Sequence, residues 1–298
     1  MTELRIGMIG LDTSHCPAFA NNLHGKDQPH HVEGGRIVAA VAGGSREFSL
    51  SRDRLAKYTA ELTGRHGVRL YDSIAEMAGQ VDAIMLESVD GRQHAEQFAQ
   101  LAEAGKPVFI DKPLACSLAD ARRIADLSAA SGVPVMSCSA IRYAAGVAEL
   151  HDKGRAFTCE AFGPASILPD YPGLFWYGVH GAEVLFSFMG RGCRKVRTVS
   201  GADIELVVGQ WDDGRLGTVR GFRKPELKQF GCTLTTDGGV FCGLVRNDPP
   251  YYALMLREIM AFFLTRRSPI DLAETVEIVA FLEAADRSRQ QGGAVIAL

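Results

Sequence analysis

The sequence predicts an α/β protein: an N-terminal doubly wound parallel sheet, followed by a C-terminal α+β domain with a mainly antiparallel sheet. Three observations carry this. Short apolar runs alternate with amphipathic helical segments up to about Ser139, which is the spacing of strands joined by crossover helices. Beyond that point apolar residues alternate one by one, as at Ile204, Leu206 and Val208, the signature of a strand covered on one face. The pairs Asp213-Gly214 and Asp237-Gly238 are hairpin-turn dipeptides. The division expected is 1–138 and 139–298.

In chain order, strands are predicted at Leu4–Ile9, Arg36–Ala42, Val68–Tyr71, Asp82–Leu86, Val108–Ile110 and Val133–Met136. Ala95, Phe98, Leu101 and Ala102 mark one helix face; Leu118, Ala121, Ile124 and Ala125 mark another. Antiparallel strands are expected from about Cys193 to Leu244. Two helices follow, with Leu256, Ile259, Met260 and Phe263 on one face and Leu272, Val276, Val279 and Leu282 on the next.

Composition narrows the function classes. A formal charge of −3 over 298 residues makes no electrostatic case for nucleic acid or an anionic membrane. Seven cysteines without CxxC spacing suit free thiols in a reducing cytoplasm better than disulfides or a zinc site. The chain enters its first strand at once, so no signal peptide is expected. No apolar run is long enough to span a bilayer. His24, His30 and His31 lie in a polar stretch and read as solvated.

The run Gly105-Lys106-Pro107-Val108-Phe109-Ile110-Asp111-Lys112-Pro113-Leu114 delivers a charged pair to the C-terminal end of a strand, the edge where open α/β sheets bind ligands. Pro113 restricts Lys112 to extended backbone. Lys112 reads as an acid/base or cofactor-contacting group, or as a solvated turn lysine paired with Asp111.

After the first strand comes Gly7-Met8-Ile9-Gly10-Leu11-Asp12-Thr13-Ser14-His15, where a dinucleotide fold places its glycine-rich phosphate turn. Asp12 and His15 stand where the second and third glycines belong. Asp12, Thr13 or Ser14 could cap the first helix. Alternatively Asp12 and His15 belong to the active site, with pyrophosphate on the backbone of Leu11, Thr13 and Ser14. The reading taken is a cap plus a partial phosphate turn. A metal at Asp12 and His15 lacks assignable further ligands, so none is expected. The second strand ends without the acid that holds the ribose hydroxyls of NAD. Ser45 and Arg46 follow instead and could bind a 2′-phosphate, which tilts the expected cofactor from NAD toward NADP.

Taken together, the strand–Gly-x-x-Gly start, Val-Asp-Ala-Ile-Met-Leu in the fourth strand, His94, the Asp111-Lys112-Pro113 motif, Arg142-Tyr143 and the ending Ser268-Pro269-Ile270-Asp271-Leu272 make the chain resemble the Gfo/Idh/MocA family. The resemblance implies an N-terminal Rossmann-type domain and a C-terminal α+β domain whose open sheet makes a homo-oligomer. It also implies a nicotinamide cofactor and redox chemistry on a sugar- or polyol-like small molecule. Asp111-Lys112-Pro113 is similar to the family's Glu-Lys-Pro, with the lysine beside nicotinamide and substrate. The loop Glu87–His94 is one residue longer than usual and lacks the common Thr-Pro; Glu87, Ser88 and His94 are its expected cofactor contacts. Trp176-Tyr177-Gly178-Val179-His180-Gly181-Ala182-Glu183 resembles the helix start bearing the catalytic histidine, with Trp176 where an acid is expected.

The resemblance thus implies Lys112 and His180 as catalytic residues. His180 exchanges the substrate proton, for which an ordinary pKa of about 6.5 suits it; Lys112 hydrogen-bonds the same oxygen or orients the ring. Glu183, three residues on, either orients His180 or favours the helix N-terminus. Arg142 binds a substrate carboxylate or cofactor phosphate, or forms a salt bridge. Tyr171, Phe175, Trp176 and Tyr177 either build core or, through Trp176 and Tyr177, form the apolar wall of a sugar or polyol site. Two other functions stay open: a nicotinamide-dependent glycosidase or lyase using transient oxidation, and a non-catalytic nucleotide-binding regulator.

Overall fold

The computed structural model describes residues 3–298. The elements are, in chain order, β1 (Leu4–Ile9), α1 (His15–His24), β2 (Gly35–Val41), α2 (Ser49–His66), β3 (Arg69–Leu70), α3 (Ile74–Ala78), β4 (Ala83–Leu86), α4 (His94–Ala99), β5 (Val108–Asp111), α5 (Leu118–Ser131) and β6 (Val135–Cys138). They continue with β7 (Ala156–Pro164), α6 (Gly178–Met189), β8 (Cys193–Ser200), β9 (Ile204–Trp211), β10 (Leu216–Phe222), β11 (Gly231–Thr236), β12 (Gly239–Leu244), α7 (Tyr251–Thr265), α8 (Leu272–Gln290) and β13 (Ile296–Ala297). Among the described residues, no helix is long and apolar enough to cross a membrane.

The chain forms two compact units. The first holds residues up to Ala115, Ala119–Cys138 and Tyr252–Leu272; the second holds Cys116–Leu118, Ser139–Tyr251 and Ala273–Leu298. Helix α7 therefore groups with the first unit, although a single cut after residue 138 would place it in the second. Its Met260 packs so closely on β2 that a Cβ at Gly35 would lie 2.7 Å from Met260 Cε.

In the first unit a parallel sheet runs β3-β2-β1-β4-β5-β6. Strand order reverses between β1 and β4, and the crevice at their C-terminal ends is the ligand position of such sheets. Strands β4 and β5 are buried along their whole length, as central parallel strands must be. That explains why they read as unbroken apolar runs. Helix α2 buries only Ser51, Leu62 and His66. It has no apolar face to betray it in the sequence. Helix α4 ends at Ala99, short of the predicted Leu101 and Ala102.

In the second unit the sheet runs β12-β11-β7-β10-β9-β8-β13. Its pairings are antiparallel except β7 with β10, which is parallel. The hairpins β9–β10 and β11–β12 turn at the predicted Asp-Gly pairs. Cys159, Ala161, Val207, Val219, Cys232 and Leu234 are buried on one face. Leu185 of α6 and Phe281 of α8 pack close to that face at Gly217 and Gly209. The register puts Val199, Ile204, Leu216, Val240 and Leu244 on the other face, where all five are exposed.

Candidate active site

Gly10 closes the turn after β1 at φ +83°, and a Cβ there would sit 2.4 Å from Ser88 Cα. Glycine is thus required by both conformation and contact. The turn lies against the start of the loop after β4, and Ser88 is buried beneath it. Two expectations for this turn change. The Leu11 N–H donates to Ala42 O at 2.7 Å, so it is spent within the protein and not on a phosphate. Asp12 caps nothing. Its carboxylate is fully buried and accepts from Ser51 Oγ at 2.6 Å and from the Val89 N–H at 2.9 Å. Ser14 is the residue before α1, without a side-chain capping bond. Thr13 Oγ1 accepts a long bond of 3.5 Å from the His15 N–H. Burial raises the Asp12 carboxyl above its ordinary value, and the bonds from Ser51 and Val89 hold part of that rise back.

Asp12 opens a polar chain across three loops. Ser51 Oγ donates to Asp12 and accepts from the Ser45 N–H at 2.7 Å. Ser45 Oγ donates to Asp90 Oδ2 at 2.6 Å, and Arg92 grips Asp90 with two bonds of 2.8 Å. Burial pushes the Asp90 carboxyl upward, but Arg92 and Ser45 outweigh it and hold it below the ordinary range. A pocket of about 420 Å³ opens here, lined by residues 44–47, Asp90, Arg92 and Gln93. Arg46 is exposed at its rim. Asp90, from the loop after β4, is thus an acid lining this pocket, although β2 itself ends without one. Asp90 and Ser51 escaped the sequence reading because Ser45 and Asp12, which they bond, lie 45 and 39 residues away in the chain.

At the ends of β1, β4 and β5 three segments converge. His15 Nδ1 lies 2.9 Å from Asp111 Oδ2 and 3.9 Å from Glu87 Oε2. Lys112 Nζ lies 3.5 Å from Asp111 Oδ2. Glu87, Asp111 and His15 are buried, and Lys112 is 9% exposed. The His15 ring stacks on Phe19 and meets Tyr252 of α7 edge-on, with centroids 5.4 and 4.9 Å away. Burial and the adjacent Asp111 push the Glu87 carboxyl well above its ordinary value. Burial works the same way on Asp111, yet His15 and Lys112 beside it outweigh that and hold it well below the usual carboxylate range. The structure thus pushes two neighbouring carboxyls in opposite directions, Glu87 up and Asp111 down.

His94 has a different place from the one expected. It is fully buried, with Nδ1 3.0 and 3.2 Å from the Pro113 and Leu114 carbonyls and Nε2 2.8 Å from the Ser88 carbonyl. Both ring nitrogens face backbone oxygen. His94 clamps the loop after β4 to the loop that follows Lys112, and it supports the site instead of contacting a cofactor.

In the second unit His180, in the first turn of α6, has its Nδ1 2.6 Å from Ser139 Oγ. Ser139 also accepts the Ile141 N–H at 3.1 Å. Tyr177 and Phe230 flank the imidazole edge-on at 5.5 and 5.3 Å. Trp176 meets Tyr171 and Tyr177 edge-on. Ser139 was not singled out in the sequence, although it directly follows β6 at a sheet's C-terminal edge. Phe230 carried no local signal.

Glu183 does not orient His180. Its Oε2 accepts from Arg142 Nε at 3.0 Å, while Arg142 Nη2 bonds Glu274 Oε1 at 2.7 Å. Arg142 is held between two carboxylates and is not set out for a substrate carboxylate or a cofactor phosphate. Burial raises the Glu183 carboxyl, and Arg142 offsets part of that. The histidines read as solvated also differ. His24 is half-buried and its Nε2 accepts the Ile37 N–H at 3.0 Å, while His31 Nδ1 lies 3.0 Å from Asn22 O.

Known proteins resemble this chain in sequence and fold. Residues 4–138 match the model of the GFO_IDH_MocA family, described as an oxidoreductase family with an NAD-binding Rossmann fold. An inositol 2-dehydrogenase of Saccharopolyspora erythraea is 32% identical over 152 residues, covering 50% of this chain and 40% of that protein. The match therefore spans well under half of that relative's length. Among solved structures, a probable dehydrogenase from Thermotoga maritima has a TM-score of 0.78 at 19% identity, covering 99% of this chain and 98% of the other. A myo-inositol dehydrogenase from Lactobacillus casei, in complex with NAD(H) and myo-inositol, has a TM-score of 0.77 at 13% identity, covering 100% and 97%. These structures share the fold over the full length. Residues 4–138 of this chain are thus similar to the Gfo/Idh/MocA oxidoreductase family, in the part that carries its NAD-binding Rossmann fold.

Proposed function

We propose that the chain is a nicotinamide-dependent dehydrogenase that moves a hydride between the cofactor and a hydroxyl or carbonyl carbon of a small sugar- or polyol-like molecule. The observation that carries this is Lys112. It is a nearly buried ammonium at the C-terminal end of β5, one strand from the crevice, with Asp111 3.5 Å away. The first unit fits the cofactor in two respects. Gly10 leaves no room for a side chain beside Ser88, and the pocket of about 420 Å³ beyond β2 can take an adenosine end. Arg46 at its rim is the group that would select a 2′-phosphate and favour NADP over NAD.

When bound, nicotinamide supplies the hydride acceptor or donor. The resemblance assigns hydrogen bonding of the reacting oxygen or the ring to Lys112 and proton exchange to His180, whose imidazole Ser139 fixes from Nδ1. Tyr177 and Trp176 give an apolar wall of the kind sugar rings pack on. The exposed apolar face of the second sheet supports a homo-oligomer.

Fluorescence titration with NADH and NADPH tests the cofactor reading. NADPH preference that is lost in Arg46→Ala is expected; equal binding overturns the NADP assignment. Absence of binding by either overturns the dehydrogenase and favours a regulator. With turnover established on a polyol panel, Lys112→Ala is expected to lower kcat by about 10²-fold or more. Unchanged kcat would remove Lys112 from the chemistry.

A further inference from the structure

We propose that His15, Glu87 and Asp111 form a binding site for one divalent transition-metal ion, zinc or manganese. His15 Nδ1, a Glu87 oxygen and an Asp111 oxygen all lie within 4.8 Å of one another. The three residues come from separate segments: the first residue of α1, the residue after β4, and the last residue of β5. The strand order alone brings them together.

Glu87 is the second and independent observation. It is 0% exposed, and neither of its oxygens has a hydrogen-bond partner. A buried polar group in that condition is costly, so its persistence calls for an occupant. Its Oε2 points toward the imidazole at 3.9 Å. The His15–Asp111 contact at 2.9 Å is likewise not aligned as a hydrogen bond. Glu87 thus converges with the His15–Asp111 pair on one point while its own oxygens make no hydrogen bond.

The donor set selects the ion. One imidazole nitrogen and two carboxylate oxygens suit zinc, manganese or iron(II); magnesium and calcium prefer oxygen alone. Ligand atoms bound at about 2.1 Å to a shared ion stand roughly 3 to 3.5 Å apart, and the observed 2.9 and 3.9 Å lie around that range. Three protein ligands leave open positions for water or a substrate oxygen. A dication would also offset the buried carboxyl groups of Glu87 and Asp111, which lie at the crevice where an anionic cofactor would bind. Lys112, 3.5 Å from Asp111, is the internal competitor for that carboxylate. The site stands on the geometry of the first unit; only its use beside nicotinamide rests on the dehydrogenase reading.

The test is made on full-length protein stripped with a chelator. Calorimetric titration with zinc chloride and manganese chloride is expected to show one ion per chain with micromolar or tighter affinity. Glu87→Gln and His15→Gln are each expected to weaken it at least about tenfold. Pulsed electron paramagnetic resonance of the manganese-loaded wild type is expected to show coupling to one imidazole nitrogen. That measurement decides the matter should either variant fail to fold. Sub-stoichiometric binding, binding undiminished in Glu87→Gln, or manganese without nitrogen coupling would each overturn the site. NADH titration of the same metal-free protein keeps the two readings apart: cofactor binding without metal binding sinks only the metal site.

Discussion

Asp12 shows how a residue that looks misplaced in a phosphate turn can be structural. The carboxylate turns inward and satisfies the Ser51 hydroxyl and the Val89 N–H, so it places no charge on the ligand side of the turn. Asp12→Ala would remove the buried acceptor of the Ser51 hydroxyl and the Val89 N–H, a cost of about 1–3 kcal/mol. Urea unfolding should show that loss, and a variant of unchanged midpoint would refute the role. Lys112 was legible from the sequence because a strand, an acid and a proline fix its position locally. The partners of Asp111 and Glu87 were not, because His15 reaches them only through strand order. The same holds for Arg142. Glu183 lies on the His180 side of α6 by spacing, yet a guanidinium from outside the helix claims it.

At the level of elements, the Arg142–Glu183–Glu274 cluster fastens the turn after β6 to α6 and α8. Removing the guanidinium strands a buried carboxylate, so Arg142→Ala is expected to cost about 3–5 kcal/mol. Replacing Arg142 and Glu183 together by apolar residues of similar volume should recover most of it. A thermal-melt comparison of the single and double variants distinguishes this from a substrate-binding arginine, whose loss would change KM and leave stability alone. The end of α1 gives a pH dependence. Burial, aided by Arg36 and His66, lowers His24 from 6.5 to about 4. As pH falls the unfolded chain takes up this proton first, so the stability His24 contributes is intact above pH 6.5 and is lost between 6.5 and about 4. Urea midpoints measured across that window should fall, and His24→Gln should flatten the slope.

For the whole molecule, the second sheet is the feature on which the proposed oligomer rests. One face packs against α6 and α8; the other exposes Val199, Ile204, Leu216, Val240 and Leu244. Apolar residues gathered on one open face mark an interaction surface. Sedimentation velocity is expected to show an oligomer that Val240→Glu with Leu216→Glu dissociates. A monomeric wild type would reject the sheet as an interface.

The sequence by itself determined the strand–helix alternation, the two hairpins, the family resemblance and the position of Lys112. Each of these is written in local periodicity, turn residues or a contiguous motif. Tertiary structure alone decided what those residues touch. It turned Asp12 inward, gave Arg142 to two glutamates, made His94 a clamp, and joined His15 to Glu87 and Asp111. The reason is physical: burial and charge pairing act through space, and parallel strand order brings together segments whose spacing along the chain carries no trace of their contact.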